Sequence, residues 1–215
     1  MNSNYYTIKK SSSHEIVIQR SRFICHLKRT DSEQQAQEFI NEIRTQHKSA
    51  NHNCFAYVIG ENNAIQKAGD DGEPSGTAGV PMLEVLKKQD LRNVTAVVTR
   101  YFGGIKLGGG GLIRAYGSTV SEGLKHTGIV QRVRHQLYSV EIDYTLLGKV
   151  ENELRQNVYR LDEIRYTDKV ELLVYVNEED TQVFEDWMTS LTSATCKFHQ
   201  QAIHYLEFDK HDTEL

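Results

Sequence analysis

The sequence predicts an α+β protein of two domains, the second with the ferredoxin-like order βαββαβ. Three observations lead there. Apolar residues recur at strand spacing in some stretches and at helix spacing in others. From about residue 137 the pattern tightens into a compact succession of strands and helices. The charge changes at nearly the same place: residues 1–135 hold 18 Lys+Arg against 12 Asp+Glu, a net +6, whereas residues 136–215 hold 7 against 17, a net −10. The expected divisions are a first domain over 1–135, a second over 136–208 and a tail over 209–215.

Taken in order, residues 5–9 and 14–28 alternate as a strand followed by a hairpin or bent strand, with Ile16, Val17, Ile18, Phe23, Ile24 and Leu27 as its apolar content. Thr30-Asp31-Ser32-Glu33 has capping-box spacing, so a helix follows with Ala36, Phe39, Ile40 and Ile43 on one face, ending near His47. Cys54 to Ile59 is a short apolar run that reads as a buried strand, and Gly60-Glu61-Asn62-Asn63 as a turn after it. Val80, Leu83, Val85 and Leu86 mark a helix whose first turn accommodates Pro81, because no amide donor is needed there. Asn93 to Phe102 is a strand rich in β-branched residues. A glycine loop follows, and then Leu112, Ile113, Tyr116, Val120 and Leu124 recur at helical spacing.

In the second domain, Leu137 to Tyr144 alternates as a strand, and Leu146, Leu147, Val150 and Leu154 mark a helix. Two strands follow over Arg160–Tyr166 and Val170–Val176. Val183, Phe184, Trp187, Met188 and Leu191 form a second helical stripe, and Thr195 to Phe208 supplies the last strand.

Composition bounds the function. The 215 residues are 39% hydrophobic and 25% charged, which excludes a disordered or fibrous chain. No apolar run approaches the roughly 20 residues of a membrane span, and the first residues lack the basic start and apolar block of a signal peptide. Cys25, Cys54 and Cys196 are odd in number and widely spaced, as in a protein that keeps its thiols reduced. A cytoplasmic location is expected.

The chemistry concentrates between Ala68 and Gly123, a stretch that holds both prolines, most of the glycines and two dense segments. The first contains Asp70, Asp71 and Glu73, with Ser75 and Thr77 close behind. Carboxylates this close can hold Mg²⁺, orient basic groups of a partner or shift one another's pKa; equally, they can cap a turn by accepting hydrogen bonds from its amides. The second runs through Arg100, Tyr101, Gly103, Gly104, Lys106, Gly108, Gly109, Gly110, Gly111 and Arg114. Its order of strand, glycine loop and helix suits an anion, since it presents backbone amides at a helix start. It matches no standard nucleotide motif: Lys106 precedes the glycine run and is followed by Leu107, which fails the Walker loop, and the third dinucleotide-fingerprint glycine falls on Ile113 or Arg114. Gly72-Glu73-Pro74-Ser75-Gly76 lacks the spacing of a nucleophile elbow. Basic groups among aromatics can contact phosphates and stack on bases; alternatively, Phe102 and Tyr116 belong to the core and the arginines pair with the acidic segment. His52-x-Cys54 is a single pair without the repeat that zinc sites show, so neither a metal nor a cofactor is expected.

These segments carry a resemblance. His52-x-Cys54-x-Ala56-Tyr57, Asp70 through Pro81, and Val98 through Gly108 continuing from Gly111 to Tyr116 resemble the Impact family, in its bacterial YigZ/YvyE-like branch. The resemblance implies a first domain with the ribosomal protein S5 domain 2-like fold and a small C-terminal domain to which the βαββαβ pattern is similar. It implies an association with translation, with RNA, the ribosome or a translation-associated protein as partner, and it brings no catalytic residue. The leading expectation is a non-catalytic protein that binds through Asp70–Thr77 and Arg100–Arg114. The alternatives are an enzyme acting on a phosphorylated small molecule or nucleotide with Mg²⁺, and a protein-only regulatory scaffold.

Overall fold

The computed structural model describes residues 4–210. The chain divides into two compact units, one formed by Tyr5–Gln131 with the last described residues, the other by Arg132–Glu207 with Asn4.

The first unit is built on a five-stranded antiparallel sheet of β2 (Ser12–Ile18), β3 (Ser21–Arg29), β4 (His52–Ile59), β5 (Ile65–Gly69) and β6 (Val94–Tyr101), in the order β2-β3-β6-β4-β5; a short β1 (Tyr5–Ile8) precedes them. β2 and β3 turn through Gln19 and Arg20, both left-handed (φ 44° and 67°), as a two-residue hairpin of matching twist requires. Both faces of the sheet are covered, so the middle of β4, Cys54–Ile59, is an unbroken apolar run and β6 is buried along nearly its whole length. On one face Cys54, Ala56, Val58, Ala96 and Val98 pack under α2 (Gly79–Lys88) and α3 (Gly108–Thr127), which contribute Met82, Leu86, Tyr116, Val120 and Leu124. On the other, Tyr57, Ile59 and Val97 meet Ala36, Phe39, Ile40 and Ile43 of α1 (Glu33–Gln46).

The second unit has β7 (Ile129–Ile142, entering at Arg132), α4 (Leu147–Arg155), β8 (Arg160–Tyr166), β9 (Val170–Asn177), α5 (Thr181–Leu191) and β10 (Lys197–Asp209). β9 pairs antiparallel with β7 and β8, and β10 joins β7, which is the ferredoxin-like order. Val150 and Leu154 of α4 and Phe184 and Met188 of α5 close over Tyr138, Val140, Leu172 and Val174.

Several expectations need correction. α1 is capped by Ser32, whose hydroxyl accepts from the Gln35 amide at 3.3 Å, while Thr30 is buried against the Thr95 hydroxyl at 2.7 Å. The capping pair is therefore Ser32 with Gln35, since Gln35 also accepts from the Asp31 amide at 3.2 Å. Val80, Ile113 and Val183 face outward at 51%, 45% and 61% exposure; Met82 and Leu86 form the buried stripe of α2. β7 starts at Ile129, well before Leu137, and ends at Ile142, where a 3-10 turn over Tyr144–Leu146 replaces the end of the expected strand. Within the expected tail, Asp209 still belongs to β10, and 211–215 lie outside the described residues.

Candidate functional site

The site grows from sheet register. Arg100, near the end of β6, pairs across the strands with Phe23 on one side and His52 on the other, on the face covered by α2 and α3. Its side chain is 6% exposed, and the guanidinium carbon lies 5.3 Å from the Phe23 ring centre and 5.5 Å from that of Phe102. A cation so placed needs a counter-charge. Glu73 provides it: its Oε1 accepts from Arg100 Nη1 at 2.6 Å and from the Tyr116 hydroxyl at 2.8 Å, and His52 Nε2 lies 3.8 Å away. The Arg100 Nε is buried without a hydrogen-bond partner among the described residues.

The other carboxylates of the acidic segment are engaged as well. Asp70 accepts from the amides of Gly76, Ala78 and Gly79 at 2.8, 3.1 and 2.8 Å, closing the loop and holding the entry to α2. Burial alone would raise its pKa, but those three amides together hold the carboxyl below its ordinary value. Asp71 accepts from Arg44 Nη2 at 2.9 Å and from the Asn53 amide at 2.7 Å, and its carbonyl faces His52 Nδ1 at 2.9 Å. Cys54, two residues along β4, donates its thiol to the Asp70 carbonyl at 2.9 Å and lies 3.4 Å from the Tyr116 hydroxyl. Burial pushes that thiol up to about 12; the Tyr116 hydroxyl opposes this, and the neighbouring carboxylates reinforce it. His52 and Cys54 thus share a face, as strand spacing requires, and they anchor the acidic loop. Among the described residues no three His, Cys, Asp or Glu side chains converge on a metal position.

Of the remaining polar residues in that segment, Thr77 is buried and donates to the Pro74 carbonyl at 2.7 Å, and Ser75 is exposed. Asp70 thus closes the loop on its own amides, while Asp71 and Glu73 tie it to α1, β4, β6 and α3.

The glycine segment is arranged differently. Tyr101 is held at its hydroxyl by His47 Nδ1 at 3.0 Å, with Arg22 over its ring. Gly103 lies against the β2–β3 turn, where a Cβ would overlap the Arg20 carbonyl group, and its amide donates to the Ser21 hydroxyl at 3.1 Å. Gly104 is exposed. The last four glycines of the expected loop are the first turn of α3: Gly108 enters it with φ of 68°, and Gly109, Gly110 and Gly111 follow. No side chain among the described residues caps this 20-residue helix, and its first-turn amides have no acceptor within the helix. Lys106 and Arg114 flank the turn; both are exposed and make no hydrogen bond or ion pair among the described residues.

Arg44, His52, Asn53, Cys54 and Tyr116 hold this site together, although none was among the expected ligand residues. Strand alternation in His52-x-Cys54 and the helical stripe through Tyr116 were the available signals.

The fold and the site together define a two-unit α+β protein in which a self-contained carboxylate loop adjoins an uncapped, cationic helix start. Residues 19–124 match the Impact N-terminal domain, and residues 140–195 match a domain of unknown function, DUF1949. IMPACT family member YvyE of Bacillus subtilis is 59% identical over 204 residues, covering 95% of this chain and 94% of the relative. IMPACT family member YigZ of Escherichia coli is 41% identical over 65% of this chain and 69% of the relative. A crystal structure described only as a hypothetical protein aligns over 93% of this chain and 98% of its own, with a TM-score of 0.58 and 30% identity. The chain belongs to the IMPACT family. No helix among the described residues is long and apolar enough to cross a membrane.

Proposed function

We propose that the chain is a non-catalytic binding protein that engages RNA, in the setting of translation, through the start of α3. One observation carries this reading: the carboxylates of the acidic segment all meet donors of the chain, whereas Lys106 and Arg114 stand exposed beside uncapped amides with no partner among the described residues. An exposed pair of cations at a positive helix end attracts phosphate, and each phosphate contact releases counterions. The family resemblance, which implies an association with translation, supports that setting.

The Mg²⁺-dependent enzyme has less support, because the carboxylates that would hold the ion are bound to amides and guanidinium groups. The test is filter binding to single-stranded RNA over a salt series. The double variant Lys106→Ala, Arg114→Ala is expected to lower the slope of log affinity against log salt by about 1 to 2. An unchanged slope, or wild-type affinity independent of salt, would refute the reading.

A further inference from the structure

Beside the exposed cations lies a cavity of about 300 Å³, at the small end of the range that ligand pockets occupy. Its polar wall is Arg100, Lys106 and the backbone of Gly108 and Gly109. Its apolar wall is Phe102, Leu107 and Leu112, and Phe102 is 45% exposed. The helix start alone would be a generic anion attractor, but Arg100 adds something specific. It is a side chain buried to all but 6% that lines the cavity, with Nη1 committed to Glu73. Glu73 lines the cavity too; its carboxylate is taken by Arg100 and the Tyr116 hydroxyl, so it fixes the guanidinium rather than opposing an anion.

Resting on the RNA reading above, we propose that this cavity seats a phosphate monoester carried on a flat base, the 5′-phosphorylated terminal nucleotide of an RNA strand. The chemistry separates an end from the middle of a chain. A backbone diester carries one charge and continues in both directions, which suits an open groove. A monoester carries a charge of about −1.5 to −2 and three terminal oxygens, enough to meet Arg100, Lys106 and the first-turn amides together. The apolar wall with its half-exposed ring offers a face for the attached base. The same group also exists on a free 5′-mononucleotide.

The experiment compares two short single-stranded RNAs of identical sequence, one ending in a 5′-phosphate and one in a 5′-hydroxyl, by fluorescence anisotropy on the full chain at fixed salt. The phosphorylated strand is expected to bind at least about tenfold tighter. The variants Lys106→Ala, which should keep the wild-type melting temperature, and Phe102→Ala should each shrink that preference to less than about threefold. Adenosine 5′-monophosphate, added as competitor, identifies the source: displacement near the strand's own affinity assigns the cavity to free nucleotides, and weaker displacement assigns it to RNA ends. Equal affinity for the two strands overturns the cavity proposal and leaves the RNA reading standing. A preference retained in both variants overturns the assignment to this cavity, and no binding of either strand overturns both readings.

Discussion

The acidic segment Asp70–Gly79 and the glycine segment Gly103–Gly111 are alike in sequence: each is short, dense in glycine, flanked by charge and followed by a helix. In the fold they are opposites. In the first, every carboxylate meets a donor from the chain itself, and α2 begins with an aspartate bridging three amides. In the second, α3 begins without a cap and its flanking cations have no partner among the described residues. The difference teaches that charge density does not mark a binding surface; what marks it is charge the fold leaves unanswered.

Breaking the buried pair tests this contrast hardest. Glu73→Ala leaves Arg100 uncompensated inside the protein and should cost about 3–5 kcal/mol in chemical denaturation. The double variant Glu73→Leu, Arg100→Met should recover most of that loss, because the pair's role in the acidic loop is structural. A single variant as stable as the wild type would mean the loop is not self-contained.

Next in size is Gly103→Ala, whose added carbon collides with the backbone of the Arg20 turn; a loss of about 1–3 kcal/mol is expected. This would show that the glycine segment is fixed at its root while its far end stays open.

Asp70→Ala removes the bridge to three amides and should cost about 1–2 kcal/mol at neutral pH. The sign of its pH dependence follows from its lowered pKa. The carboxylate's contribution is complete above its unfolded value, near 3.8, and disappears as pH falls through the lower folded value. Stability curves of variant and wild type should therefore converge only in acid below about pH 4. The smallest effect belongs to Lys106→Ala with Arg114→Ala, which should change stability by no more than about 0.5 kcal/mol, since neither side chain has a partner to lose among the described residues.

Much of this was legible in the sequence because local pattern and tertiary packing agree. The apolar run of β4, the β-branched run of β6 and the βαββαβ order of the second unit all follow from periodicity. The site was legible as a place, not as an arrangement. That Glu73 and Arg100 meet depends on β3-β6-β4 register, which sets Arg100 between Phe23 and His52, and no local spacing encodes that. The four glycines looked like a loop because glycine disfavours helix; here the 16 following residues of α3, anchored by Tyr116, Val120 and Leu124, carry the helix back through them. Val80, Ile113 and Val183 were misplaced because the helical stripe they extend is wider than the core beneath it.

The burial of Cys54 has a practical consequence. Its thiol, bonded to the Asp70 carbonyl and pushed up to about 12, reacts with an alkylating reagent only when the acidic loop lifts away from β4. The chain's single tryptophan, Trp187, lies on α5, with its ring centre 5.2 Å from that of Tyr159. Trp187 fluorescence therefore reports on the second unit, and labelling of Cys54, told apart from buried Cys25 and part-exposed Cys196 by peptide mapping, reports on the first.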